Sequence, residues 1–186
     1  MAQLEFYDTK LSGLKIVRPF LAEDKRGFFM KAFEKSVFEQ LGYENDISET
    51  FESYSVKGVI RGLHFQTGAY AQAKLVRVLR GEVFDVCVDI RKDSPTSGEY
   101  IGEYLNEDNH KALYIPRGFA HGFLATKEAL MSYTCIGAHQ PGAENGIIYN
   151  DPDLGIKWPL TNMEVIISDR DMQLKSFRQY QESVCD

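Results

Sequence analysis

The chain has 186 residues, 26% of them charged, and a formal charge of -6 at pH 7. That length supports one sizeable core, so a single domain over 1–186 is expected, with an N-terminal extension over about 1–50 and a polar C-terminal tail over about 169–186. The acidic balance argues against nucleic acid or an anionic membrane as the main partner, so any nucleotide must be held by local Arg and Lys.

In chain order, Met1–Glu5 lacks the basic-then-apolar pattern of a signal peptide. No apolar run approaches the roughly 20 residues of a membrane span, and a soluble, cytoplasmic protein is expected. A helix is predicted over Glu34–Leu41, where Val37, Phe38 and Leu41 share a face and Gly42 supplies the stop. Strands are predicted at Lys74–Leu79 and Glu82–Arg91, with Arg80-Gly81-Glu82 as a hairpin connection between them. In the second strand Phe84, Val86, Val88 and Ile90 alternate with Val83, Asp85, Cys87 and Asp89. A loop follows at Asp93–Gly98. Further short strands are predicted at Tyr100–Leu105, Ala112–Ile115, Gly122–Ala125 and Leu130–Ile136. Their roughly 8–12-residue spacing is that of an all-β sandwich or barrel. Asn150–Pro159 reads as a loop closed by the aromatic anchor Trp158, and Asp169–Gln181 as a second helix or a lid. Three cysteines, Cys87, Cys135 and Cys185, have no metal-type spacing and fit free thiols in a reducing compartment. A G-x-G-x-x-G fingerprint is absent, so hydride chemistry on a nicotinamide has no support.

Two stretches carry candidate chemistry. Arg61-Gly62-Leu63-His64-Phe65-Gln66 sets an imidazole between a cation and an amide, and Lys74 follows on the next strand. Lone histidines are usually packed or surface groups. Here Arg61, His64, Gln66 and Lys74 interrupt apolar strand sequence, and burying so many polar groups is costly unless they line a cavity. A base beside a fixed positive charge suits removal of a proton from carbon next to a carbonyl, because the ammonium can hold the oxyanion that forms. Pro116-Arg117-Gly118-Phe119-Ala120-His121 is typical of a turn that swings a histidine into a small barrel, and a hydrogen-bonded structural His121 is an equal reading. Tyr133 alone reads as a packing group, and Ser168-Asp169-Arg170-Asp171 as a solvated charge run.

Taken together, RGLHFQ, KLVRVLRGEVFDVCVDIRKDSPT, IPRGFAHGF, NDPDLGIKWP and the S-x-x-D element at Ser168–Asp171 appear in an order that resembles the dTDP-4-dehydrorhamnose 3,5-epimerase family, from about Leu4 to Phe177. The resemblance implies a cupin, a double-stranded β-helix (jelly-roll) barrel with short peripheral helices. It implies an isomerase that inverts C3, C5 or both of a nucleotide-diphospho-4-keto-6-deoxyhexose. It further implies His64 as general base, Asp171 as the carboxylate that orients it, Lys74 as the cation on the enolate oxygen and Tyr133 as the acid on the opposite face. Arg61 resembles a diphosphate contact, and Arg26 a nucleotide contact given by a second subunit. Gln66, His121, His139 and Arg170 complete the expected substrate-binding set. The family is a homodimer and uses no metal or organic cofactor.

The sequence departs from the family pattern at three places. F-x-D-x-R-G-x-F-x-E reads Ala22-Glu23-Asp24-Lys25-Arg26-Gly27-Phe28-Phe29-Met30-Lys31, and Q-x-N reads Glu49-Thr50-Phe51. Lys31 can only donate, and Glu49 accepts, which suits cytosine better than thymine, so CDP is expected ahead of GDP or dTDP. His139 stands where the family has a tyrosine near the sugar, which leaves the number of inverted centres open. Two alternatives remain from the residues. A metal-dependent cupin isomerase or dioxygenase would need more imidazoles than His64 and His121 supply. A non-catalytic sugar-nucleotide binding barrel would have no need of His64, Lys74 and Tyr133 together.

Overall fold

In the computed structural model, which describes residues 4–183, antiparallel strands are the dominant regular structure. They are β1 (Glu5–Asp8), β2 (Lys15–Arg18), β3 (Phe20–Asp24), β4 (Gly27–Lys31), β5 (Ile47–Ser55), β6 (Ile60–Gln66) and β7 (Ala73–Arg80). The rest are β8 (Glu82–Asp89), β9 (Tyr100–Asn106), β10 (Ala112–Ile115), β11 (Phe119–Ala125), β12 (Ala129–Ile136) and β13 (Glu144–Gly146). A six-stranded sheet runs β1-β2-β10-β7-β12-β5 and faces a five-stranded sheet, β13-β6-β11-β8-β9, while β3 and β4 form a separate hairpin. This is the expected all-β jelly-roll barrel. Its helices are short: α1 (Lys35–Gln40), α2 (Asp169–Met172) and α3 (Phe177–Ser183).

Both faces of the central strands are covered, in three layers. Val76, Val78, Val83, Cys87, Leu105, Phe123, Met131 and Tyr133 meet between the sheets. Leu63, Val86, Val88 and Ile147 pack outside the smaller sheet beneath Phe177 and Tyr180. Val17, Leu75, Ala112 and Tyr114 pack outside the larger sheet beneath Val37 and Phe38 of α1. The alternation in β8 therefore separates two buried faces rather than an inside from an outside. Each aliphatic side chain fully buried in these layers contributes about 1.5–3 kcal/mol.

The expected hairpin at Arg80-Gly81-Glu82 is corrected. β7 already lies between β10 and β12, and β8 between β11 and β9, so neither has an edge left for the other. The connection is a corner where the chain passes from one sheet to the next. Gly81 makes it possible: its φ is +80°, and a Cβ there would stand 1.7 Å from the Glu128 carbonyl oxygen. The polar tail expected as one helix or a lid is two short helices, α2 and α3, and Phe177 and Tyr180 of α3 are part of the core.

At the end of β8, Asp89 is fully buried and accepts from the Arg91 guanidinium and backbone N–H, Ser94 Oγ and Thr96 Oγ1. Burial alone would raise its pKa; these donors outweigh it and hold the carboxyl at about 2. A depressed folded-state value stabilises the fold fully above the unfolded value of about 3.9, and that contribution fades as pH falls toward 2. Asp89→Ala should cost about 3 kcal/mol at pH 7, from the loss of the buried carboxylate that Arg91, Ser94 and Thr96 all donate to, and the deficit against wild type should shrink below about pH 4 in urea denaturation.

Candidate active site

Two glycines let β6 and β11 approach closely enough to share a cavity wall. A Cβ at Gly62 (φ +120°) would lie 2.5 Å from Gly122 Cα, and one at Gly122 would lie 2.6 Å from the Arg61 carbonyl oxygen. This crossing puts His64 directly opposite His121 in the antiparallel ladder, so both imidazoles leave their strands on one face.

Each imidazole is held by a carboxylate through Nε2. His64 Nε2 lies 2.8 Å from Asp171 Oδ1, and the other oxygen of Asp171 accepts the Gly62 N–H at 3.0 Å. Asp171 arrives because the segment before it runs beside the start of β6. Ile60 N–H donates to the Ile166 carbonyl, Ile166 N–H to the Gly58 carbonyl, and Ser168 Oγ accepts the Asp171 N–H as the cap of α2. Burial works to raise the Asp171 pKa. The hydrogen bonds from His64, Gly62 and Ser168 outweigh it and leave the carboxyl below its ordinary value. An ionised Asp171 accepts, so Nε2 of His64 carries the hydrogen and Nδ1 keeps a lone pair.

The second pair is deeper. His121 Nε2 lies 3.0 and 2.9 Å from the two oxygens of Asp85, which is fully buried on the interior face of β8. Burial pushes the Asp85 carboxyl up, and the His121 contact only partly offsets this. Asp85 is the buried partner that sequence reasoning missed. The available signal was an aspartate sharing the interior face with Val83 and Cys87, where only a polar partner could satisfy it.

Lys74 enters from β7, flanked in the ladder by Ile115 and Cys135, and no ion pair among the described residues uses it. Tyr133, on β12, is buried, with Ser53 Oγ donating to its hydroxyl at 3.4 Å and its ring edge-on to His121. Burial holds its phenol well above the ordinary tyrosine range. His64, Lys74, His121, Tyr133 and Asp171 line one cavity of about 540 Å³, whose rim carries Arg61 and Arg170. The arrangement can accept a proton at His64, hold a growing negative charge at Lys74 and supply a proton at Tyr133.

The remaining expected residues divide. Glu49, Gln66, His139 and Arg170 line an adjoining cavity of about 290 Å³ that shares Phe51, His64, Lys74 and Arg170 with the first. Gln66 has both ends of its amide committed to backbone, donating to the Tyr70 and Ala138 carbonyls and accepting from Gln140 N–H. It braces the cavity wall. Glu144 is clamped between His139 at 2.8 Å and Arg170, and these partners lower its pKa. Arg61 donates to Ser55 Oγ and the Tyr54 carbonyl and keeps an exposed flank on the rim. Arg26 and Lys31 are not brought to either cavity of their own chain: Arg26 pairs with Asp24 at the tip of the β3–β4 hairpin, and Lys31 pairs with Glu34 at 2.8 Å. Among the described residues, no three His, Cys, Asp or Glu side chains converge as a metal ligand set.

Comparison with known proteins gives this geometry its context. The family model described as dTDP-4-dehydrorhamnose 3,5-epimerase matches residues 8–179. A dTDP-4-dehydrorhamnose 3,5-epimerase from Methanothermobacter thermautotrophicus is 45% identical over 181 residues, covering 96% of this chain and 97% of that protein. One from Shigella flexneri is 43% identical over 171 residues, covering 91% of this chain and 93% of that protein. The crystal structure of dTDP-6-deoxy-D-glucose-3,5-epimerase from Legionella pneumophila, in complex with dTDP-4-keto-L-rhamnose, aligns with a TM-score of 0.92 at 40% identity, covering 97% of this chain and 96% of that one.

Proposed function

The chain belongs to the dTDP-4-dehydrorhamnose 3,5-epimerase family, and from that premise we propose that it inverts carbons next to the C4 ketone of a nucleoside-diphosphate 4-keto-6-deoxyhexose. The observation that carries the reading is the shared cavity of His64, Lys74 and Tyr133, with Asp171 behind the imidazole.

The steps follow from the residues. His64 Nδ1 takes the proton from the carbon beside the carbonyl, and the electron pair of that C–H bond moves to the ketone oxygen. Imidazole, with an ordinary pKa of about 6.5, is far too weak a base for an unactivated C–H bond. The Lys74 ammonium stabilises the enolate as its charge grows, which lowers the barrier where it is highest. Tyr133 then gives its phenolic proton to carbon from the opposite face. Its raised pKa keeps it protonated at neutral pH, and an enolate carbon is basic enough to take that proton. Solvent returns the enzyme to its starting protonation state, so each turnover admits a solvent hydrogen. Arg61 and Arg170 at the rim suit the diphosphate.

Tyr133→Phe separates the two half-reactions. Solvent deuterium should still enter the sugar at a rate within about tenfold of wild type, while inversion falls by about 10²-fold or more. NMR of the sugar ring protons in D₂O reads both, and equal loss of the two would contradict separate base and acid groups.

The relatives carry dTDP in their names, and a dTDP-linked sugar is the substrate this reading takes first. One observation favours CDP: Glu49 lines the smaller cavity, where a carboxylate accepts from the exocyclic amine of cytosine and repels the carbonyl that thymine presents in its place. Calorimetry with dTDP, CDP and GDP decides this; tightest binding of dTDP removes the CDP reading. A cytoplasmic homodimer, in which the partner's hairpin brings Arg26 and Lys31 to the nucleotide, belongs to the same proposal.

A further inference from the structure

Tyr133 has little to hold its phenol in place by hydrogen bonding. Ser53 Oγ reaches it at 3.4 Å, and its hydroxyl points to Met131 Sδ at 3.6 Å, both long and weak contacts. What the ring does have is a stack. Phe51 is its direct cross-strand partner on the edge strand β5, and the two rings lie almost parallel, 13° apart, with centroids 4.6 Å apart. The His121 ring meets Tyr133 edge-on at 6.2 Å. Phe51 itself is 45% exposed and lines both cavities, so its ring forms part of the wall between them.

We infer that Phe51 is a positioning residue for the proton donor: it fixes the plane of the Tyr133 ring, so that the phenol meets the enolate from the face opposite His64. Phe51 touches no reacting atom in this role. Its effect runs through Tyr133, whose aim decides whether an enolate is protonated on the new face or returned to the old one. A phenol free to swing away leaves the enolate to recapture a solvent hydrogen from the imidazolium side. Abstraction then continues and inversion fails. The inference rests on the reading of Tyr133 as the acid.

The competing role is structural, an aromatic pair that fastens β5 to β12. That role affects folding and all steps alike, whereas the positioning role changes the ratio of inversion to solvent exchange. The test uses Phe51→Leu, which removes the stack, and Phe51→Tyr, which restores it. With a dTDP-4-keto-6-deoxyhexose in D₂O, or the CDP analogue if that binds more tightly, Phe51→Leu should exchange deuterium within about threefold of wild type and invert about tenfold less. Phe51→Tyr should keep the wild-type ratio. Parallel loss of exchange and inversion in Phe51→Leu, or an unchanged ratio, overturns the inference. A second measurement needs no substrate. With ¹³Cζ-labelled tyrosine, and the Tyr133 signal assigned from Tyr133→Phe, Phe51→Leu should shift and broaden that signal as the ring samples more than one orientation. An unmoved signal in the folded variant overturns the clamp even if wild type exchanges no deuterium with any 4-keto sugar, an outcome that would by itself end the functional reading.

Discussion

His64→Ala is expected to abolish deuterium exchange into the sugar, a loss of about 10²–10⁴-fold from the general-base contribution alone. No other group in the cavity can take its place. His121 has a similar Nε2 tie, to both oxygens of the fully buried Asp85, but its side chain is 5% exposed against 36% for His64, so His64 is the imidazole open to a bound sugar. Lys74 and Tyr133 enter as acids, not bases. His64 is partly exposed, and its removal leaves only one buried polar atom without its partner, an oxygen of Asp171, whose other oxygen still accepts from Gly62 N–H. The variant should therefore fold, with nucleotide affinity close to wild type, because Arg61 and Arg170, which the proposal assigns to the diphosphate, are untouched. Exchange that persists within tenfold in a folded His64→Ala protein would assign the base to another group. Asp171→Asn is the companion. An asparagine presents its NH₂ to Nε2 as readily as its oxygen, the tautomer is no longer fixed, and the rate should fall while the fold is kept.

Lys74→Met should lower kcat by about 10²–10³-fold with a much smaller change in KM. The ketone of the bound sugar is neutral, and the ammonium gains most only when that oxygen becomes an enolate, so its loss is felt in the transition state rather than in binding. Methionine keeps the length of the stem and packs well beside the interior residues on either side of it, Ile115 and Cys135. Removing an ammonium that has no ion pair among the described residues should leave stability unchanged or raised. Lys74→Arg should restore little, since a planar guanidinium cannot occupy the place of a compact ammonium. A Lys74→Met enzyme that keeps kcat and loses affinity would make Lys74 a binding group and leave the enolate without its stabilising charge.

Much of the barrel was legible because its central strands are apolar and β-branched. Lys74–Leu79, Glu82–Arg91, Ala112–Ile115 and Leu130–Ile136 were read from alternation and lie within one or two residues of the observed strands. Pairing was not legible. Alternation reports which face a side chain takes, not which strand is next to it, and Gly81 looks the same at a hairpin as at a sheet corner. The strands β1 to β5 escaped for a different reason. β4 and β5 expose many of their residues: Phe28 and Phe29 are open to solvent, Phe51 lines the cavity yet stays 45% exposed, and no clean period marks either strand. At the site, His64, Lys74, Tyr133 and Asp171 were picked out by ordered motifs and the fold brings them to one cavity, whereas spacing alone would have left Tyr133 as a packing group. Asp85 and Phe51 were missed because each gains its meaning from a cross-strand neighbour, His121 for the first and Tyr133 for the second.

The central claim is that the cavity makes the hydrogen beside a sugar ketone removable. Wild-type protein incubated in D₂O with dTDP- and CDP-linked 4-keto-6-deoxyhexoses, followed by NMR at C3 and C5 separately, tests it most directly. Deuterium should appear at C3, C5 or both within the enzyme's turnover time, together with inversion at the labelled carbon. Unchanged protons at both carbons, with nucleotide sugar bound, would contradict the account.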